Sequence, residues 1–361
     1  MVFRWRCFSF KYDYETRTQT KSTTSETFYT APSVFNRSLS VLNAKTSEFS
    51  SSTSKSSNLR VFTISELKAA TRNFSRSRNI GEGGFGSVYR GVIKSLEHPF
   101  DEIQVAVKFA KERGQASSDI TVLICKQFNN PVMLQQGTKE WLAEVNVLGV
   151  VEHQNLVKLV GYCEGDNERL FLVYEYMRNG SVRDILSTRS KTPLPWAMRL
   201  KVAQDCARGL TYLHEEMDFQ IILRDFKTSN ILLDDQWNAK LSDFGTARLG
   251  PEEGHSSILT SFVGTAMYAA PEYLATGRPH DKSWPLGQRN LITWAIPYSH
   301  SKRIHRIIDL RIVELEGMYK KETMNSAWKL ANIANMCLSV EGRSRPKMSE
   351  VLELITFSFE K

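Results

Sequence analysis

From position 61 onward the apolar residues change their period along the chain. Thr63-Ile64-Ser65-Glu66 has capping-box spacing, and Leu67 and Ala70 follow on one face, which predicts a short helix ending before Ser75. β-type runs punctuated by glycine follow at 79–89 and 103–109. Residues 138–151 read as a helix whose stripe is Leu142, Val145 and Leu148. The runs 156–162 and 170–176 predict two more strands. After Gly180 the texture turns helical. Leu200, Ala203, Ala207, Leu210 and Leu213 mark a long stripe in 196–214, and 327–338 and 349–357 are further helices. A strand-rich lobe is thus followed by a helix-rich lobe, an α+β arrangement without internal repeats.

The first 60 residues have no such pattern. Positions 16–57 hold 21 Ser or Thr, and few large apolar side chains offset the entropy of ordering them. This predicts a disordered arm. Of the chain's net charge of +8, the first 60 residues carry +5, which suits an anionic partner such as a membrane leaflet. Cys7 sits among Arg4, Trp5, Arg6, Phe8 and Phe10, a setting for an acylated, membrane-resting segment, and Val2 excludes myristoylation. The five cysteines are scattered and never form a CxxC pair, which argues for a reducing compartment and against disulfide or zinc frameworks. The remaining 301 residues carry only +3 and show no basic stripe with interleaved aromatics, so no nucleic-acid partner is expected. No run approaches a membrane-spanning length.

The chemistry lies in an ordered series of motifs. Gly81-Glu82-Gly83-Gly84-Phe85-Gly86 is followed by Ser87-Val88-Tyr89, which is strand rather than helix chemistry. The glycines therefore close a hairpin whose bare backbone can lie over phosphates. Val105-Ala106-Val107 leads into Lys108, and a lysine inside a strand is costly unless it meets anions. Glu144 lies inside an apolar helical stretch and supplies the matching charge. Asp225 and Asn230 stand five apart before the apolar run 231–233. Asp243-Phe244-Gly245 and Ala270-Pro271-Glu272 follow. One carboxylate takes a hydroxyl proton (Asp225), and a second with an amide oxygen holds Mg²⁺ (Asp243 and Asn230).

With these residues the chain resembles the eukaryotic protein kinases, and more closely the plant receptor-like cytoplasmic kinases of membrane-associated immune signalling. The resemblance covers roughly 58–355 and is carried most specifically by 224–234 and 268–273. It implies a two-lobed kinase fold, ATP and Mg²⁺ as cofactors, and γ-phosphate transfer to Ser or Thr of protein substrates under an upstream receptor kinase. The expected organisation is an arm at 1–60, a pre-kinase helix at 61–76, a first lobe at 77–177 and a second at 178–361. The expected location is cytoplasmic, peripheral at the plasma membrane. Gly81, Gly83, Gly86 and Val88 would cover ATP. Lys108, paired with Glu144, would hold the α/β-phosphates. Tyr174 would be the gatekeeper before hinge residues Glu175, Tyr176 and Met177. Asp225 would be the base, and Lys227 would contact the γ-phosphate. Thr265 would shape the substrate loop. Ser256, Ser257, Thr260 and Ser261 would receive activating phosphates, read by Arg224. Glu272 would pair with Arg345.

The sequence also departs from that family. Leu223 replaces an aromatic or His, which predicts looser packing under Phe244, and Thr246 stands where Leu is usual. Ala266-Met267 replaces a glycine before Tyr268. Lys108 and Glu144 are about twice the usual distance apart in sequence, the excess being 109–125, which makes Lys126 a second candidate for the phosphate lysine. Between Glu272 and Trp294 the chain is short by one central helix, worth on the order of 10 kcal/mol of burial. A loosened second lobe is the expectation. Two alternatives follow: a scaffold that holds partners without turnover, and a mis-spliced form of a working kinase.

Overall fold

The computed structural model describes residues 59–83, 86–95, 100–110, 136–165, 169–187, 190, 192–251, 263–265, 268–270, 304–306, 308–309, 311–312 and 321–359. The first lobe is a six-stranded sheet. Its strands are β1 (Arg60–Val61), β2 (Asn79–Gly83), β3 (Gly86–Lys94), β4 (Glu102–Ala110), β5 (Leu159–Glu164) and β6 (Leu170–Glu175), in the order β1-β5-β6-β4-β3-β2. All pairings are antiparallel except β1 on β5. The run that begins at Leu156 therefore becomes regular strand only at Leu159, and Leu156 instead bridges Leu241.

Helix α1 (Ile64–Thr71) starts where the capping box requires: Thr63 Oγ1 accepts from the Glu66 N–H, and the Glu66 carboxylate accepts from the Thr63 N–H. It buries Leu67 and Ala70 on the sheet, beside Phe62, Val105, Val107 and Phe171. Arg60, counted with the arm by composition, is instead strand, ion-paired to Glu66 at 2.7 Å and stacked on Phe62. Gly161 makes room for it, since a Cβ there would lie 1.9 Å from the Arg60 carbonyl oxygen. The segment 61–76 read as a pre-kinase helix forms a helix at Ile64–Thr71, and it packs as a strap over the first-lobe sheet.

Helix α2 (Gln136–Leu148) crosses the sheet's other side. Its buried residues are Trp141, Ala143, Glu144, Val147 and Leu148, while Leu142 and Val145 are only half-buried. This corrects the stripe read from sequence. The face is set by Trp141, whose Nε1–H donates to the Phe171 carbonyl at 3.0 Å, and by the charge partner of Glu144.

The second lobe holds α3 (Val182–Leu186), α4 (Trp196–Thr211), the strand pairs β7 (Ile221–Ile222) with β10 (Arg248–Leu249) and β8 (Ile231–Leu233) with β9 (Ala239–Leu241), then α5 (Lys321–Cys337) and α6 (Met348–Phe359). After Thr211 the backbone widens into a π-type turn through Glu216. α4 packs on β9 through Cys206 and Leu210, and on α5 and α6 through Ala207, Ile333, Val351 and Ile355. The expected loosening under Phe244 is absent: Phe244 is fully buried and Leu223 is 5% exposed. Thr246, the neighbouring departure, donates its hydroxyl to the Leu223 carbonyl at 3.0 Å, so the two departures hold each other. The span 271–303, in which the missing central helix was expected, lies outside the described residues, as do 111–135 with Lys126.

Candidate active site

A cleft of about 930 Å³ runs between the lobes. Gly81 on β2 and Gly86 and Val88 on β3 line one side, and Gly83 ends β2. A Cβ at Gly81 would meet nothing within 4 Å, so this edge of the cleft is open space. Ala106, Tyr174, Glu175 and the buried Met177 line the hinge side.

Lys108 projects from β4 into the centre of the cleft. Its Nζ donates to Glu144 Oε1 at 2.6 Å and to Asp243 Oδ1 at 3.1 Å, so one ammonium joins strand, helix and second lobe. Burial pushes this amine toward losing its proton, but the Asp243 and Glu144 carboxylates outweigh burial and hold its pKa above that of an ordinary lysine. Glu144 is pushed up by burial and by Asp243, with Lys108 opposing. Its second oxygen accepts from the Tyr174 hydroxyl, which burial and the Glu144 charge keep protonated far above the usual phenol range. Every polar atom of the glutamate carboxylate is therefore used.

Across the cleft, Asp225 is 4% exposed. Its Oδ1 accepts from the Thr265 N–H at 3.0 Å and the Thr265 hydroxyl at 2.8 Å, and its Oδ2 accepts from Lys227 Nζ. Lys227 also donates to Thr265 Oγ1 at 3.0 Å. Gly264, at φ +112°, permits this closure, since a Cβ there would press to 2.6 Å on the Arg224 carbonyl oxygen. Asn230 Nδ2 donates to the Asp225 carbonyl at 3.0 Å and lies 3.4 Å from Asp243 Oδ2. The amide oxygen, 3.4 Å from the Ser229 hydroxyl, and the Asp243 carboxylate are hard oxygens on one side of the cleft, the donor type magnesium takes. Arg224 and Asp243 both hold left-handed backbone (φ 64°), a strained conformation found where side chains must be aimed.

Arg224 Nε donates to the Thr246 carbonyl at 2.6 Å, and the buried Arg248 lies two residues further on, in β10. Arg345 Nε donates to the Ser339 carbonyl at 2.8 Å. Ser256, Ser257, Thr260, Ser261 and Glu272 lie outside the described residues, as does Cys7.

Sequence reasoning missed a clasp behind the hinge. Lys240 on β9 donates to both oxygens of Glu175 at 2.8 Å, and the Lys158 N–H donates to the same carboxylate at 2.7 Å. The signal was a lone lysine in the alternation Ala239-Lys240-Leu241, which has the same form as Val107-Lys108-Phe109.

A glycine hairpin, a strand lysine shared by two carboxylates, and a buried Asp-Lys-Thr cluster facing one cleft fit a phosphoryl-transfer enzyme. A protein kinase domain family model matches residues 74–355, and the chain belongs to the protein kinase family. It is 52% identical over 332 residues to the serine/threonine-protein kinase PCRK2 of Arabidopsis thaliana, covering 85% of this chain and 73% of that protein. It is 50% identical over 329 residues to PCRK1 of the same plant, covering 84% and 72%. PBL36, another serine/threonine-protein kinase of that plant, is 42% identical over 327 residues, covering 83% and 63%. The chain is a serine/threonine protein kinase of the receptor-like cytoplasmic type. The scaffold and mis-spliced alternatives are not favoured. The family uses ATP with a divalent cation. Among the described residues no helix is long and apolar enough to cross a membrane.

Proposed function

We propose that Asp225 is the catalytic base and Lys108 the phosphate lysine of this kinase, working with Mg²⁺-ATP on Ser or Thr of protein substrates. The observation that carries the reading is the single ammonium of Lys108 bonded to Glu144 of the first lobe and Asp243 of the second, since it exists only when the lobes are in register. The hairpin at Gly81, Gly83, Gly86 and Val88 covers the phosphates, and Glu175 and Met177 border the base of the nucleotide. Asp243 and Asn230 would hold Mg²⁺, which would supply charge neutralisation to the phosphates. The substrate hydroxyl oxygen forms a bond to the γ-phosphorus as the bond from that phosphorus to the β-γ bridging oxygen breaks. The hydroxyl proton passes to Asp225, and ADP leaves. Lys227 stands beside Asp225 and balances charge that develops on the transferred group. Thr265 fixes the carboxylate's orientation.

Regulation follows the same chemistry. A phosphate on Ser256, Ser257, Thr260 or Ser261 would meet Arg224. Immune signalling downstream of a receptor kinase, at the cytoplasmic face of the plasma membrane, fits the Arabidopsis relatives together with the basic head and Cys7. Glu272 with Arg345 would fasten the substrate loop.

Radiolabel transfer from Mg²⁺-ATP by the purified chain tests the assignment. Asp225→Asn should remove the label while leaving a folded protein, and Lys108→Met should remove it at a cost in stability, so its fold is checked by circular dichroism beside the assay. Retention of label in Lys108→Met would move the phosphate lysine to another residue, Lys126 first.

A further inference from the structure

Beyond the hinge the cleft is lined by Arg178, Ser181, Arg183, Asp184, Thr228 and Ser229. Most charged groups along its lining already have partners within the protein. Lys108 bonds Glu144 and Asp243, Lys227 bonds Asp225, and Glu175 bonds Lys240. Asp184 Oδ2 accepts from the Ser181 hydroxyl at 2.6 Å. Among the described residues Glu82, on the glycine hairpin at the nucleotide end, is the lining carboxylate without such a bond. Arg178 and Arg183 are the exception on the basic side. Both are exposed, and neither guanidinium has a hydrogen bond or ion pair among the described residues.

The wall that bears them is fixed. The Asn179 N–H donates to the Leu233 carbonyl at 3.1 Å and its Nδ2 to the Asp234 carbonyl at 2.6 Å. The Leu233 N–H returns a bond to the Gly180 carbonyl at 2.9 Å. Arg183 stands in the first turn of α3, capped by Ser181 Oγ, which accepts from the Asp184 N–H at 3.2 Å. Successive helical residues point in different directions, so Asp184 does not neutralise its neighbour. Two planar donor forks on a rigid wall, in the cleft that holds the base, match carboxylates and reject ammonium groups.

Building on the kinase assignment, we infer that Arg178 and Arg183 are specificity residues that select protein substrates carrying Asp or Glu near the phosphoacceptor Ser or Thr. Ser181, Thr228 and Ser229, uncharged lining residues of the same stretch, offer no countercharge for a basic substrate, and Asp184, its one carboxylate, already accepts from the Ser181 hydroxyl. The contacts lie at a solvent-exposed rim, so the preference is moderate and sensitive to salt.

The test uses three serine peptides, identical except for flanking Asp, Asn or Lys. Their KM values at saturating ATP and their binding, by fluorescence anisotropy, are measured with the full chain and with R178E/R183E. The wild type should show KM and Kd roughly fivefold lower for the Asp peptide than for the Asn peptide, the expected size of two rim ion pairs. That gap should close near ~0.5 M salt. R178E/R183E should invert the order and favour the Lys peptide, a gain that a misfolded variant does not produce. Equal KM and Kd for Asp and Asn peptides, or an acidic preference that survives R178E/R183E, would overturn the inference. If no peptide is phosphorylated, the kinase assignment fails, and the anisotropy order still decides for or against the arginines.

Discussion

Lys108 and Glu144 stand 36 positions apart in the chain, yet Nζ and Oε1 meet at 2.6 Å. β4 delivers the lysine and α2 the glutamate, and the carboxylate is 1% exposed. Breaking such a pair from one side strands the other charge, at about 3–5 kcal/mol. Glu144→Ala should therefore lower stability by several kcal/mol as well as weaken ATP binding. Urea unfolding and nucleotide titration read the two effects. An unchanged midpoint would show that Lys108 finds compensation in Asp243 alone.

Tyr174 links the hinge strand to the same carboxylate. Tyr174→Phe keeps the ring and deletes the donor, leaving one buried Glu144 oxygen unsatisfied at about 1–3 kcal/mol. The thermal midpoint should fall. A midpoint at or above that of the wild type would mean the hydroxyl contributes nothing net.

Behind the hinge, Lys240 holds Glu175 while the Lys158 N–H supports the same carboxylate. Lys240→Met should change stability little, by less than about 1 kcal/mol, because the pair is partly exposed. It should instead speed amide exchange at Glu175, whose own N–H donates to the Lys158 carbonyl at 3.1 Å. Exchange equal to wild type would remove Lys240 from hinge control.

The strap makes the sharpest stability contrast. Phe62 is 2% exposed beneath α1, whereas Val61, its neighbour, is 65% exposed. Phe62→Ala should cost about 3–5 kcal/mol and Val61→Ala under about 0.5 kcal/mol in urea unfolding. Similar costs at the two positions would mean that the strap is not part of the core. The family model begins at Phe74, so a protein cut to that model would lack these contacts.

Acid stability has a named contributor. Burial opposes ionisation of Asp309, but hydrogen bonds from Arg311 and Arg199 outweigh it and hold the carboxyl well below the ordinary aspartate value of 3.8. A depressed folded-state pKa gives stability that is present above about 3.8 and lost as pH falls through the folded value. Asp309→Asn should flatten the acid limb of the stability curve below pH 4, with a smaller difference at neutral pH than full burial would give. Parallel acid limbs in the two proteins would assign that loss to other groups.

Legibility in the sequence followed range. The Thr63–Glu66 box, the glycine hairpin and the α4 stripe are local patterns, and the structure forms the elements they predict. α2 forms where its pattern predicts and buries Leu148, but Leu142 and Val145 of the expected stripe are half-buried because the face is set by Trp141 and the charge on Glu144. Leu223 and Thr246 looked like two separate defects, 23 residues apart, until the hydroxyl-to-carbonyl bond joined them.

The sequence alone determined the class of chemistry, because phosphate transfer demands glycine, lysine, aspartate and asparagine in an order that chance rarely assembles. It also set the order of the lobes, since periods of two and 3.6 residues are written in the chain. Tertiary structure decided which charges meet. The pairing of Lys240 with Glu175, 65 residues away, the folding of Arg60 and Phe62 onto β5, and the open guanidinium groups of Arg178 and Arg183 depend on how sheets and helices pack. Neighbours in space are fixed by burial summed over the whole fold, and no local run of residues contains that sum.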